Sequence, residues 1–175
     1  VIEAAKTVGE NLVSNQVVIL ESTTYPGTTI EVLIPNLEKR SGLIAGKDFF
    51  VGYSPERIDP GNKIWKFKNT PKVISGMNDD STKKIKEFYE SIIDETVVVN
   101  GTKEAEMVKL LENTYRHVNI ALINELAMLC EMLDIDIWEV VNAAKTKPFG
   151  FESFKPGPGV GGHCIPVDPE YLSFK

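Results

Sequence analysis

The run Gln16-Val17-Val18-Ile19-Leu20-Glu21-Ser22-Thr23-Thr24-Tyr25-Pro26-Gly27 decides the fold class. Its first half is apolar without alternation and rich in β-branched residues, the pattern of a strand buried on both faces. Its second half is a break: three hydroxyl residues, then Pro26 and Gly27. Beyond the break Ile30, Leu33, Ile34 and Leu37 fall on one helical face, so a helix is expected from near Thr28 to about Arg40. Before it, Ile2-Glu3-Ala4-Ala5-Lys6-Thr7-Val8, with Leu12 and Val13, reads as another helix.

The alternation continues. Phe49-Phe50-Val51-Gly52-Tyr53 is a second short strand, ended by Ser54-Pro55-Glu56-Arg57, and Asp59-Pro60-Gly61-Asn62 is a turn. Lys72-Val73-Ile74-Ser75-Gly76 is a third strand, Ser81 caps a helix reaching about Ile92, and Thr96-Val97-Val98-Val99 is a fourth strand. Strands and helices alternating at this spacing predict an α/β fold with a parallel, Rossmann-like sheet. After Gly101 the character changes. From 102 to 133 there is no Gly or Pro, and Met107, Leu110, Leu111, Thr114, Val118, Ala121, Leu122, Leu126, Leu129 and Leu133 recur at helical spacing. A helix of about 30 residues is roughly 45 Å long, more than a small domain needs, which predicts a second surface such as a dimer face. A further helix is expected near 137–145. The chain thus divides into 1–101, part of a sheet domain, and 102–175, an all-α part. It opens on a helix rather than on a first βαβ unit and stops as Pro169-Glu170-Tyr171-Leu172 begins another helix, so a piece of a larger protein is expected.

Composition excludes several classes. The net charge of −6 argues against a nucleic-acid or anionic-membrane surface. No run of about 18 apolar residues exists to span a bilayer. Two cysteines make no disulfide framework, and with two histidines they make no metal set. Five of the 13 glycines and five of the ten prolines fall between Pro148 and Pro169, which directs attention to that segment.

Within it, Gly157, Gly159 and Gly162 formally match G-x-G-x-x-G. A dinucleotide fingerprint needs a strand before it, a helix opening on it and an acid about 20 residues on, and none is present. The glycines, Gly161 included, leave close backbone approach and exposed amides suited to an anion or phosphate. Cys164, in a Gly-lined loop four residues before Asp168, is either a nucleophile or a small buried hydrophobe. Cys130, inside the long helix, reads as packing. Lys109 and Asn113, four apart, share a helical face that is either functional or simply solvated, with Glu106 pairing Lys109. Thr23 and Glu56 each follow a strand end, where open α/β sheets bind ligands, though both also suit turn chemistry.

Four runs in this order resemble the UDP-glucose/GDP-mannose dehydrogenase family. They are Glu21-Ser22-Thr23-Thr24-Tyr25-Pro26-Gly27-Thr28-Thr29, Tyr53-Ser54-Pro55-Glu56-Arg57-Ile58-Asp59-Pro60-Gly61-Asn62, Glu106-Met107-Val108-Lys109-Leu110-Leu111-Glu112-Asn113, and Gly157-Pro158-Gly159-Val160-Gly161-Gly162-His163-Cys164-Ile165-Pro166-Val167-Asp168. The resemblance covers essentially the whole chain, and the second and fourth runs look most like the branch acting on UDP-N-acetylglucosamine or UDP-N-acetylmannosamine. It implies a cytoplasmic NAD-dependent enzyme that oxidises the C6 alcohol of a UDP-sugar to a carboxylate, in a homodimer formed through the long helix. It makes Cys164 the nucleophile of a thiohemiacetal and thioester. It makes Lys109 and Asn113 stabilisers of the oxyanion, Asp168 and Thr23 holders of the hydrolytic water, and Glu56 a general acid/base. It places Ser22 and Thr23 at the cofactor, and Lys155, Gly157, Gly159 and Gly161 at the substrate. Departures are Val167, where many members have Lys, and Pro60, where many have a carboxylate with Asp59 one residue out of register; both bear on cofactor contacts. The missing fingerprint implies that the 175 residues alone do not turn over. The competing classes are a non-catalytic dimerisation or binding module, and a 6-phosphogluconate or 3-hydroxyacid type of dehydrogenase, which lacks a thioester step.

Overall fold

The computed structural model describes residues 1–174. It divides into two compact units, residues 1–110 and the residues from Leu111 onward. In the first, α1 (Ile2–Asn11) leads to β1 (Val17–Leu20), a π-helical turn (Thr29–Leu33), α2 (Ile34–Ser41), β2 (Phe50–Tyr53), β3 (Lys72–Gly76), α3 (Asp79–Glu90) and β4 (Thr96–Val98). Helix α4 (Thr102–Met132) begins in this unit and continues into the second, which adds α5 (Ile137–Ala144) and the short α6 (Glu170–Ser173).

The sheet order is β1-β2-β3-β4. The expectation of a parallel sheet holds for β1 with β2 and for β3 with β4, but β2 and β3 are antiparallel. The reason lies in residues 54–71, which form turns and no helix. A parallel pair needs a crossover, usually a helix, whereas a chain that merely doubles back returns antiparallel. Gly52 and Gly76 face each other in that reversal, and both are tightly covered. A Cβ on Gly52 would overlap the Ser75 carbonyl and the Ile85 side chain, and one on Gly76 would overlap the Thr82 amide.

One core cluster joins Leu33, Ile34 and Leu37 to Phe49 and Val51, and another joins Ile74 to Ile85, Tyr89 and Ile93 of α3 and the turn after it. Two local expectations are corrected. Ile30 is exposed, not on the buried face with Leu33, Ile34 and Leu37. The Ile34 amide donates to the Thr29 carbonyl, an i→i+5 bond whose wider turn shifts the helical phase between Ile30 and Leu33. The widening precedes Pro35, which in an ordinary helix interior would collide with the carbonyl four residues back; here it falls in the first turn of α2. The cap of α3 is Asn78 rather than Ser81: Asn78 Oδ1 accepts from the Ser81 amide at 2.9 Å, and Ser81 is buried with its Oγ accepting from the Val51 amide at 3.3 Å.

The start of α4 is fixed by Glu106. This carboxylate is completely buried. Its Oε2 accepts from the Gly27 amide, and its Oε1 accepts from the Thr29 amide at 2.8 Å and from Thr29 Oγ1 at 2.7 Å. The two amides are donors that the helix beginning near Thr28 cannot satisfy internally. A Glu106→Gln variant places an amide NH₂ against one of them. We expect it to lose about 2–3 kcal/mol, read as a lower urea midpoint at unchanged slope.

Candidate active site

In the first unit the carboxyl ends of β1 and β2 lie side by side, since Leu20 pairs with Tyr53 in parallel register. Ser22 and Thr23 follow the first strand and Glu56 the second. Tyr53 Oη donates to the Ser22 carbonyl at 3.2 Å, tying the two exits together. Glu56 Oε1 accepts from the Arg57 and Ile58 amides at 2.7 and 2.6 Å, a turn that holds the side chain over its own backbone. Its other oxygen, Oε2, lies 3.4 Å from Lys72 Nζ. Lys109 Nζ donates to the Glu56 carbonyl at 2.7 Å. The pairing of Lys109 with Glu106 is therefore not formed, and the reading of Lys109 as a solvated surface lysine fails. One of its three N–H donors is engaged by this carbonyl.

Lys72, Glu21 and Tyr89 were not singled out from the sequence. Lys72 is only 4% exposed and donates to Glu21 Oε1 at 2.7 Å. Its ammonium also lies 5.2 Å from the Tyr89 ring centre and 5.9 Å from that of Phe67. Tyr89 Oη donates to the same Glu21 oxygen at 2.7 Å. Burial, and then this bond to a carboxylate, push the Tyr89 phenol well above its ordinary value. For Glu21 burial acts upward, but the hydrogen bonds from Lys72 and Tyr89 and the Lys72 charge outweigh it and hold the carboxyl below 4.5.

In the second unit the Gly/Pro-rich loop lies along one face of α4. Asn113 Nδ2 donates to Asp168 Oδ2 in a very short bond. His117 Nδ1 lies 3.0 Å from the Ile165 carbonyl, which places its proton on Nδ1. The Gly157 amide donates to Asn124 Oδ1 at 2.9 Å. Residues 113, 117 and 124 lie within about 40° of one another around the helix, so the loop runs antiparallel to it. The spacing of His117 and Asn124 relative to Asn113 was the signal available in the sequence and not used. Asp168 is buried, and its amide donates to the Cys164 carbonyl at 2.9 Å, closing a tight turn. Cys164 itself is a free, exposed thiol, which removes its reading as a buried hydrophobe; Cys130 is half-buried in α4. No strand precedes Gly157 and no helix opens at Gly162, so the glycine pattern is a loop and not a dinucleotide fingerprint. Gly161 and Gly162 adopt φ of +69° and +75°, a region a side chain would strain. Lys155 lines a shallow cleft with Tyr115, Arg116 and Phe154.

These two residue sets have counterparts elsewhere. Residues 1–93 match the NAD binding domain of the UDP-glucose/GDP-mannose dehydrogenase family, and residues 103–175 match its central domain. The chain belongs to the UDP-glucose/GDP-mannose dehydrogenase family. It is 50% identical over 175 residues to Protein CapL of Staphylococcus aureus, covering 99% of this chain and 41% of that protein. It is 46% identical over 175 residues to UDP-N-acetyl-D-glucosamine 6-dehydrogenase of Salmonella typhi, again covering 99% of this chain and 41% of the relative. Among solved structures, UDP-N-acetyl-D-mannosamine dehydrogenase from Pyrococcus horikoshii superposes with a TM-score of 0.89 at 40% identity, covering 98% of this chain and 40% of that one. The chain thus spans about two fifths of the length of these dehydrogenase-family relatives.

Membership supplies an NAD-binding domain, and the exit of β1 fits that cofactor. Thr24 is 4% exposed, and its Oγ1 is buried without a hydrogen-bond partner, leaving polar capacity at the strand edge where dinucleotides lie in this fold class.

Two tests follow from this geometry. Asn113→Ala should free the turn at Cys164 and Asp168 from α4, seen as faster amide hydrogen exchange across 160–168 with the rest of the second unit unchanged. Glu21 is held below its unfolded value of 4.5, so it contributes stability above that value which is lost as pH falls through the folded value. In Glu21→Gln the fall in melting temperature between about pH 5 and 3 should be shallower than in the parent.

Proposed function

We propose that the protein carrying this chain is an NAD-dependent nucleotide-sugar 6-dehydrogenase, oxidising the C6 alcohol of a UDP-N-acetylhexosamine, favoured over UDP-glucose, to the uronate. The observation that carries the reading is an exposed Cys164 on a turn whose buried Asp168 is bonded to Asn113 of α4. Relatives named as UDP-N-acetylglucosamine and UDP-N-acetylmannosamine dehydrogenases support the substrate class.

NAD, when bound, supplies the hydride acceptor for both oxidations, and Ser22 and Thr23 at the exit of β1 help hold it. Cys164 Sγ adds to the C6 aldehyde carbon, giving a thiohemiacetal that keeps the half-oxidised sugar on the enzyme. Loss of the second hydride to NAD⁺ and of the hydroxyl proton to solvent leaves a thioester. Lys109 and Asn113 donate to the oxygen as it becomes negative; Lys109 has donors to spare beyond the Glu56 carbonyl. Thr23 and Asp168 hold the water. The water oxygen adds to the acyl carbon, Glu56 takes one of its protons, the C–S bond breaks to leave Cys164 as thiolate, and the acid gives its remaining proton to solvent and departs as uronate. Lys155, Gly157, Gly159 and Gly161 contact the nucleotide sugar, and Arg116 beside Lys155 adds a second cation suited to a diphosphate.

Residues 1–101 are then the later part of the cofactor domain and 102–175 the central part. A homodimer through α4 is supported by its second face. Leu111, Val118, Leu122, Leu126 and Leu129 are exposed, and they lie roughly 120–200° around the helix from the centre of the face that holds the loop. A 6-phosphogluconate type of reaction has no use for the exposed thiol, and a non-catalytic module has none for the Glu56 cluster.

The full-length enzyme given a panel of UDP- and GDP-sugars should release two NADH per UDP-N-acetylhexosamine, and Cys164→Ser should cut acid formation by at least about a hundredfold. One NADH per sugar, or undiminished acid formation by that variant, overturns the reading. The 175 residues alone should produce no NADH.

A further inference from the structure

The reversal between β2 and β3 puts a residue where a parallel sheet would not. In a parallel sheet the first residue of a strand lies at the edge opposite to the ligand-binding one. Because β3 runs against β2, its first residue, Lys72, reaches the edge where β1 and β2 end. The register is explicit: Gly52 pairs with Gly76 and Tyr53 with Ser75, and three further steps set Glu56 opposite Lys72. Glu21 arrives at the same point from the end of β1. The result is a buried ammonium between two half-exposed carboxylates, 2.7 Å from Glu21 Oε1 and 3.4 Å from Glu56 Oε2.

The division of labour on Glu56 is informative. Oε1 is occupied by two backbone amides, so Oε2 is the oxygen left to take a proton from water. Lys72 brings a charged side chain within hydrogen-bond distance of Oε2, at 3.4 Å. Lys72 is itself held from the far side by Glu21, which in turn is held by Tyr89. A chain Tyr89–Glu21–Lys72 therefore ends on the base oxygen, and Glu21 and Lys72 each have a partner on both sides.

We propose that Lys72 is a positioning residue for Glu56, fixing Oε2 for hydrolysis of the thioester without serving the hydride steps. This rests on the reading of Glu56 and Cys164 given above. The step it supports is the balanced one already written: water oxygen bonds to the acyl carbon, one water proton passes to Glu56 Oε2, the C–S bond breaks, and the sulfur leaves as thiolate.

The test uses the full-length enzyme with a UDP-N-acetylhexosamine and excess NAD⁺. Lys72→Met keeps the length and apolar body of the side chain and leaves no uncompensated buried charge, because both carboxylates reach solvent. We expect the burst of two NADH per active site to persist, steady-state turnover to fall about tenfold or more, and an acyl adduct on Cys164 to accumulate in the intact mass. Lys72→Arg should restore turnover to within a few-fold of the parent and clear the adduct. If Lys72→Met turns over like the parent, or loses burst and turnover together with no adduct while Cys164→Ser still blocks acid formation, the inference is overturned and the parent reading stands. If Cys164→Ser forms acid normally, the parent reading fails and this inference falls with it.

Discussion

The buried carboxylate of Glu106 is the constraint on which the first unit depends. It carries no cationic partner among its bonds; three donors from the segment after β1 compensate it instead. Two of those donors, the Gly27 and Thr29 amides, are groups a helix start leaves unsatisfied, and the third is the Thr29 hydroxyl, so one carboxylate serves both the helix entered after Gly27 and the helix that bears Glu106. Because Glu106 sits one turn before Lys109, fixing it also fixes where Lys109 emerges. The exit of β1 and the ammonium that reaches the Glu56 carbonyl are thereby set by the same side chain.

What the sequence made legible was everything local. All four strands and the long helix fall within a residue or two of expectation, since their patterns are apolar runs and helical periods. Strand direction was not legible from those patterns, because the same five residues Lys72-Val73-Ile74-Ser75-Gly76 suit either direction. The information lay in what 54–71 lacks, namely a helical period. Missing it concealed Lys72, which on a parallel sheet would have belonged to the far edge. Resemblance pointed to Cys164, Asn113 and Asp168 as site residues; that Asn113 and Asp168 touch depends on a loop folding back on a helix, which no local pattern encodes.

Helix α4 shows how one helix satisfies two demands. Asn113, His117 and Asn124 bind a loop with no regular structure of its own: Asn113 holds the Asp168 carboxylate, and His117 and Asn124 supply partners for the Ile165 carbonyl and the Gly157 amide, which would otherwise rely on water. The opposite face keeps its leucines uncovered in the single chain. The helix is thus polar where it holds its own loop and apolar where its other side is left uncovered.

The π-helical turn at Thr29–Leu33 has a bearing on how this chain tolerates change. The segment must aim the Gly27 and Thr29 donors at Glu106 and, a few residues later, aim Leu33, Ile34 and Leu37 into the core. Those two directions are out of step for an unbroken 3.6-residue spiral, and the wide turn acts as a phase adapter between them. Length here is therefore more tightly constrained than identity: exposed Ile30 or Glu31 tolerates exchange, whereas removing either residue would force a choice between the capped loop and the packed face.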